Sequence, residues 1–330
     1  MTTADKELTM PYIQTVTGRM PPESLCFCHC HEHLMITKGR SYLINKALCI
    51  DNYEKTLTEL GQFRTGGGTT IVDAQPGGCG RDADALYRLG QESGVQIIAS
   101  AGFHKMIFYP RGHWIFDIRR EALAELFLRE LTEGMYTDCD ETWPRRTCGA
   151  KAGIIKCAYD ACGLVLQYKK LFDAAVDAAI RTGAPLMVHI ERGAAPLKLM
   201  SYLDRRQLPL NRVIFCHMDR AEDDLAVHKE VCRHGIYLEY DTIGRFKYHS
   251  DEREAEIFAE MFAAGYEDQI LFSLDTTRER LKSYTPEGIG LTYILDTFVP
   301  LLKSKGITEA QLKKISCTNC RKILTFDKGN

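Results

Sequence analysis

Several features that mark special classes of protein are missing from this 330-residue chain. Lys and Arg number 42 and Asp and Glu 44, so the formal net charge is -2, and no basic field is available for nucleic acid or a membrane surface. No uninterrupted apolar run is long enough to span a bilayer, and residues 1–14 lack the apolar core of a signal peptide. We therefore expect a soluble, cytoplasmic protein whose partner is a small molecule, with a homodimer left open.

A second absence concerns the fold. No Gly-x-Gly-x-x-Gly opens a first helix, which disfavours a doubly wound dinucleotide-binding sheet. Short apolar runs rich in β-branched residues instead alternate with helical patterns, which predicts eight parallel strands in a closed (β/α)8 TIM barrel. The strands expected after the first are 69–75, 95–104, 153–159, 186–191, 213–219, 236–242 and 270–276.

The predicted barrel is one domain over residues 1–330, with residues 1–24 as a short N-terminal extension. Its longest insertion, from about 107 to 150, follows the third strand. We expect this insertion to pack over or beside the barrel mouth.

The first barrel strand ends in Cys30-His31-Glu32-His33. Residues i and i+2 of a strand leave by the same face, so His31 and His33 can bind one metal ion together. Taken alone, two partly exposed histidines at a strand end are the simpler interpretation.

Cysteine is abundant, but its pattern indicates reduced thiols. The count of 13 is odd and the positions are dispersed, unlike a disulfide framework. Cys26, Cys28 and Cys30 alternate along the first strand, so we expect them to face away from the histidine pair as packing residues. Cys317-Thr-Asn-Cys320 has no second pair at zinc-ribbon spacing, which disfavours a structural zinc there.

Catalytic groups of barrel enzymes lie at the C-terminal ends of strands, and five predicted strand ends here carry candidate ligands. These are His31 and His33, Lys156, His189, His217 and Asp275.

Lys156 lies within an apolar strand, where an unpaired ammonium is costly. Burial favours the neutral amine, which carbon dioxide can convert into an anionic carbamate that bridges two metals. The other candidates have simpler alternatives, because His189 could bond a core carbonyl, while His217 and Asp275 could cap helices. One shared site nevertheless explains all five strand ends better than independent coincidence.

With these residues the chain resembles the phosphotriesterase family of the amidohydrolase superfamily, nearly from end to end. The motifs that carry the resemblance are Thr15-Val-Thr-Gly18, Cys30-His-Glu-His-Leu34, Gly66-Gly-Gly-Thr-Thr-Ile-Val-Asp73, Gly80-Arg-Asp82, Gly153-Ile-Ile-Lys156, His189, His217-Met-Asp219 and Ser273-Leu-Asp275.

The resemblance implies a two-metal centre. In the family pattern, His31, His33 and Asp275 hold the buried ion. The pattern assigns the more exposed ion to His189 and His217, and a carboxylated Lys156 bridges both ions. It also implies that a metal-bridging hydroxide attacks the substrate, that the exposed ion polarises its carbonyl or phosphoryl oxygen, and that Asp275 handles the proton. Nitrogen and oxygen ligands suit zinc, with manganese or cobalt as alternatives.

The loops after strands seven and eight carry cations that suit an anionic substrate. Barrels often bind phosphate there, and Lys247 and Arg278 are the candidates nearest the strand ends. Arg280 and Lys282 are interpreted more simply as a solvated charged face. Further candidates for the substrate pocket are His104, Arg192 and Tyr284, for which ordinary loop roles are equally compatible.

The expected function is hydrolysis of the ring ester of a sugar lactone, with a phosphorylated sugar favoured. Within the family, the alternative is a promiscuous carboxylesterase, an aryl-ester lactonase or a phosphotriesterase. Outside enzymes, the alternative is a metal-binding barrel without catalysis.

Overall fold

The computed structural model describes residues 10–326. Its strands are β1 (Tyr12–Thr15), β2 (Gly18–Met20), β3 (Cys28–Glu32), β4 (Thr70–Asp73), β5 (Gln96–Gly102), β6 (Ile154–Tyr159), β7 (Leu186–Ile190), β8 (Val213–Cys216), β9 (Tyr237–Tyr240), β10 (Ile270–Phe272) and β11 (Thr325–Phe326). The helices are α1 (Arg40–Ile44), α2 (Tyr53–Thr65), α3 (Ala83–Ser93), α4 (Trp114–Asp117), α5 (Arg120–Thr132), α6 (Leu166–Thr182), α7 (Pro196–Arg205), α8 (Met218–Ala221), α9 (Leu225–Arg233), α10 (Asp251–Ala263), α11 (Val299–Ser304), α12 (Glu309–Lys313) and α13 (Asn319–Leu324).

Strands β3 to β10 pair in chain order and in parallel, with helices between them, so the predicted TIM barrel is confirmed. The strands are runs of buried residues, and helices alternate with them along the chain. Helices such as α2 and α3 begin at capping residues, Asn52 and Asp82. This alternation favours the barrel. Among residues 10–326, no helix is long and apolar enough to cross a membrane.

Strands β10 and β3 stand at the two ends of the strand order, and we call the gap between them the seam. Hydrogen bonds of Ser273 and Asp275 close it. Ser273 Oγ accepts a hydrogen bond from the amide of His31 at 2.9 Å and lies 2.7 Å from the carbonyl oxygen of the same residue. The amide of Asp275 donates to that carbonyl at 3.0 Å. The Ser273 hydroxyl thus makes hydrogen bonds to β3 of the kind that the backbone of a paired strand makes elsewhere in the barrel.

The segment 107–150 is only partly an insertion. Helix α5 lies within it, with Leu123 and Phe127 buried in the main core, and packs against α6 as an outer helix of the barrel. The insertion predicted after the third strand is therefore shorter than residues 107–150, because α5 belongs to the barrel. The remaining pieces hold Trp114, whose indole donates to the carbonyl of Cys139 at 2.7 Å, and Trp143, whose ring lies 5.2 Å away.

The lower end of the barrel is closed by chain termini. Strand β1 pairs with both β2 and β11 in an antiparallel sheet. Ile13, Met20 and Leu25 from this region share one apolar cluster with Ile154 and Leu271 of the barrel interior. Residues 10–24 of the predicted N-terminal extension therefore seal the interior from below, and residues 1–9 lie outside the described residues.

Strand β3 contains one extra residue relative to β4. Cys28 pairs with Thr70 and Glu32 with Asp73, so the 5 residues of β3 lie beside 4 of β4. Such a bulge reverses the alternation of side chains along the strand. Cys30 consequently lies in the interior cluster, although His31 also points inward, and the prediction that Cys28 and Cys30 face away from the histidine pair was wrong. Cys26, which is exposed, lies before β3.

Candidate metal centre

Three donors meet at the upper end of the first and last barrel strands. His33 Nε2 lies 3.4 Å from Asp275 Oδ1, and His31 Nε2 lies 3.8 Å from the same oxygen. His31 and His33 are buried, and one donor atom from each of the three residues falls within a 4.8 Å group. Two imidazoles and a carboxylate at this spacing are a donor set for a divalent cation.

Lys156, His189 and His217 extend this group across the barrel. Lys156 Nζ lies 3.1 Å from His31 Nε2 and is fully buried. The ring of His217 lies 4.8 Å from that of His31 and 4.5 Å from that of His189. The structure thus brings together all six residues predicted as ligands, and their role in binding metal stays a prediction.

Two of these residues sit in unusual backbone conformations. His217 has φ 63° and Asp275 has φ 49°, both in the left-handed region that non-glycine residues seldom adopt. His217 directly follows the last residue of β8, and Asp275 lies three residues after the end of β10. Strain of this kind is often found at functional sites.

Buried carboxylates hold two of the imidazoles by their inner nitrogens. His31 Nδ1 donates to Glu239 Oε2 at 2.9 Å, and His217 Nδ1 donates to Asp241 Oδ2 at 2.6 Å. Such hydrogen bonds fix the tautomer and direct Nε2 toward an ion. Burial, together with the charge of Lys156 for His31 and of Arg220 for His217, lowers the pKa of both imidazoles well below the usual value, so both imidazoles are neutral.

Two guanidinium groups flank the other side of Asp275. Arg220 Nη2 lies 2.7 Å and Arg245 Nη2 lies 3.0 Å from Asp275 Oδ2. Burial alone would raise the pKa of Asp275, but the charges of Arg245 and Arg220 and a hydrogen bond from His33 hold it well below its usual range. Asp275 is therefore an anion whose Oδ1 faces the histidines.

The buried polar atoms of the site fit a metal centre. His33 Nδ1 and Glu239 Oε1 are buried without a hydrogen-bond partner among the described residues. At His189, Nε2 bonds Glu191 Oε2 at 3.0 Å, and Lys105 Nζ donates to the same oxygen at 2.6 Å. Binding of an ion through His189 Nε2 would replace that hydrogen bond.

The predicted substrate-binding residues occupy different environments. His104 is closest to the ligands, with its ring 5.5 Å from that of His189. Lys247 is exposed over the ring of Tyr248, while Arg278 Nη1 donates to Asp51 and to the carbonyl of Cys49.

Arg192 and Tyr284 are engaged elsewhere. Arg192 pairs with Asp223 at the surface. The Tyr284 hydroxyl bonds the backbone of Asn52 and the side chain of Thr56, a structural role for which its sequence gave no signal. A substrate contact of either residue stays a prediction.

The fold and the donor set agree with a family match over nearly the whole chain. Residues 11–324 match the model of the Phosphotriesterase family. The chain belongs to the phosphotriesterase family. It is a hydrolase of this metal-dependent family, and its groups of candidate ligands lie where the barrel presents its strand ends.

Several relatives of this phosphotriesterase-family chain have names that describe hydrolysis. A phospho-furanose lactonase of Mycoplasmopsis synoviae is 28% identical over 96% of this chain and 92% of the relative. An N-acetyltaurine hydrolase of Salmo salar is also 28% identical, over 95% of this chain and 98% of the relative. Among solved structures, a lactonase from Listeria monocytogenes superimposes with a TM-score of 0.87 at 27% identity, covering 96% of this chain and 100% of that chain.

Sequence reasoning missed four charged residues that this family member places beside the ligands, Glu239, Asp241, Arg220 and Arg245. A signal was available for the two carboxylates. Tyr237-Leu-Glu-Tyr-Asp241 places two acids in an otherwise apolar strand, the same pattern that singled out Lys156. The arginines follow strand ends in loops, where charge is ordinary and carries no comparable signal.

Proposed function

We propose that this chain is a binuclear-metal lactonase that opens the ring ester of a phosphorylated sugar lactone. The observation that carries the proposal is the convergence of six candidate ligands from five strands at one end of the barrel. These are His31, His33, Lys156, His189, His217 and Asp275.

In this proposal His31, His33 and Asp275 hold one ion, while His189 and His217 hold the other. Zinc suits neutral imidazoles and carboxylate oxygens, and manganese or cobalt is compatible with the same donors. Lys156, carboxylated by carbon dioxide, would join both ions. When bound, such a pair supplies a hydroxide near neutral pH and polarises the ester carbonyl.

The chain's own residues orient the ligands and manage charge. Glu239 and Asp241 fix the rings of His31 and His217 through Nδ1. Asp275, kept anionic by its two arginine partners, presents Oδ1 on the side of the histidines, where it can accept a proton during ring opening.

The substrate class is supported by the names of the relatives and by two cations. Phospho-furanose lactonases of two Mycoplasmopsis species are 28% and 27% identical to this chain. The ammonium of Lys247 is exposed and lies over the ring of Tyr248. Arg278 bonds the side chain of Asp51 and the carbonyl of Cys49 through Nη1. Lysine and arginine are the side chains that suit a phosphate group.

Substitution of Lys247 tests the phosphate. With the zinc- and manganese-loaded enzymes, Lys247→Ala should lower kcat/KM for a phosphorylated furanose lactone by about 10- to 100-fold, mainly through KM, because a charge-assisted hydrogen bond contributes roughly 1.5–3 kcal/mol. The neutral lactone should be hydrolysed equally by both proteins. Arg278→Ala should act in the same direction.

Lys282→Ala is the matched control, because Lys282 is an exposed cation of the same region. Its kcat/KM for both lactones should equal that of the parent. Unchanged kinetics in both Lys247→Ala and Arg278→Ala would reject phosphate recognition and favour the promiscuous esterase or aryl-ester lactonase.

Substitution of Lys156 tests the bridge between the metals. The parent should bind two equivalents of divalent ion, and Lys156→Ala should lose at least ~100-fold in kcat because the bridging anion is gone. Added acetate or propionate should restore part of the activity. Full activity of Lys156→Ala without added carboxylate would exclude a carbamate bridge.

A wider substrate panel separates the rivals. N-acetyltaurine belongs in it because hydrolases of that amide are as similar to this chain as the lactonases are. A higher kcat/KM for the amide or for an aryl phosphotriester than for every lactone would replace the proposed function. Two bound metals with no hydrolysis of any substrate would indicate a binding protein.

A further inference from the structure

Two cysteine motifs that are far apart in the chain meet at the bottom of the barrel. Cys28 and Cys30 lie on β3 and Cys320 on α13, and the three Sγ atoms all lie within 4.8 Å of one another. Cys30 Sγ is 3.3 Å from Cys320 Sγ. We call these three residues the thiol cluster.

The thiol cluster lies in a dry environment. All three cysteines are 0% exposed, and Met20, Leu25 and Ile323 belong to the same apolar cluster. No histidine or carboxylate belongs to the metal-ligand group that these thiols form among residues 10–326. The donor set is therefore sulfur alone.

Two further thiols line a cavity close to the thiol cluster in sequence. A cavity of about 370 Å³ is lined by Cys26 and Cys317, of which Cys26 is exposed. Cys317 is nearly buried, with its Sγ donating to the carbonyl of Leu25 at 3.2 Å, and it lies one helical turn before Cys320. This cavity therefore offers two thiols to an ion from solvent.

The number and type of donors favour one kind of ion. Structural zinc takes four ligands in a tetrahedron, whereas this group offers three. Soft thiolates select Cu(I), which accepts low coordination numbers, and an apolar pocket keeps competing oxygen ligands away.

We propose that Cys28, Cys30 and Cys320 form a Cu(I) site, separate from the catalytic centre at the other end of the barrel. The ion replaces the S–H protons of the cluster, which pass to solvent, and no electron is transferred. This site selects a different kind of ion from the catalytic centre, because its donors are sulfur and those of the catalytic centre are nitrogen and oxygen.

Competition for Cu(I) tests the site in the zinc-loaded protein under anaerobic conditions. The parent should withdraw one equivalent of Cu(I) from a coloured chelator without releasing catalytic zinc, and X-ray absorption at the copper edge should show only sulfur neighbours. Bound Cu(I) should also raise the unfolding temperature, since a ligand that binds the native state stabilises it.

Cys320→Ser and Cys28→Ser should each lose at least about 100-fold in Cu(I) affinity, because two thiols remain. The matched control is Cys232→Ser, since Cys232 is a buried cysteine on α9, outside the thiol cluster. It should bind Cu(I) as the parent does. Nitrogen neighbours at copper, displacement of zinc, or parental affinity in Cys320→Ser would overturn the proposal, and the absorption spectrum of the parent decides the matter even if a variant fails to fold.

Discussion

At the scale of single residues, buried acids hold two histidines of the candidate metal centre, His31 and His217. Glu239 is fully buried, and burial and the charge of Asp241 raise its pKa well above the usual value. It nevertheless accepts the hydrogen bond of His31 Nδ1. A bound cation adjacent to His31 would stabilise the charged form of this carboxyl, which couples metal binding to its ionisation.

Glu239→Gln should weaken metal binding by about tenfold, because the amide keeps an acceptor for His31 but removes the negative charge. The measurement is competition for zinc with a fluorescent chelator. Glu256→Gln, at a surface position, is the control and should match the parent. Equal zinc affinity in all three proteins would show that Glu239 only fills space.

The same scale shows which residues can be predicted from sequence. Lys156 stands out because a charge inside an apolar strand requires an explanation. The contact between Cys28 and Cys320 could not be predicted from sequence. Thiols are common in apolar cores, and only the fold brings these two distant residues together.

At the scale of elements, ion pairs fix neighbouring outer helices. Asp173 on α6 accepts hydrogen bonds from Lys169 at 2.7 Å and from Tyr202 on α7 at 2.6 Å, and Arg206 pairs with it as well. Burial would raise its pKa, but these partners lower it below the usual value. The carboxylate thus stabilises the fold when ionised.

Asp173→Asn should lower the free energy of unfolding by about 1–3 kcal/mol at pH 7, because the donors lose a charged acceptor. A carboxyl whose pKa is depressed in the folded state stabilises above its unfolded pKa of about 4. The deficit of the variant should therefore shrink as the pH falls below about 4. Urea unfolding across pH measures this, with exposed Asp204→Asn as the control; a deficit independent of pH would contradict the charge assignment.

The elements were predictable where periodicity determines them. The eight barrel strands follow from apolar runs, and the TIM barrel follows from their alternation with helices. The barrel helix within residues 107–150 was not predictable, because α5 is partly exposed and its sequence pattern merges with that of the loops on either side. The bulge in β3 was equally invisible, since alternation in sequence does not reveal where a strand gains a residue.

At the scale of the whole molecule, the Ser273 side chain helps to close the barrel. Ser273 Oγ joins β3 to the last strand and also lies 2.8 Å from Glu32 Oε1. Ser273→Ala leaves the buried amide of His31 without this acceptor and should cost roughly 2–3 kcal/mol in the free energy of unfolding.

Hydrogen exchange should locate that loss. Amides of residues 28–34 should exchange faster in Ser273→Ala than in the parent, while those of the α6 helix keep their parental rates. Ser304→Ala removes a hydroxyl from an exposed site and should alter stability by less than ~0.5 kcal/mol. Uniformly faster exchange throughout the barrel would show global destabilisation instead of an opened seam.

The bulge in β3 determines which side chains of this strand point into the barrel. Before it, His29 points outward and packs against Phe63 of α2, while Cys28 and Cys30 point inward. A strand that ran regularly through this point would turn His31 and His33 toward the outer helices as well. Substitutions can therefore change the sulfur-rich end or the histidine-rich end independently, whereas loss of one residue between them would remove the histidines from the barrel mouth altogether.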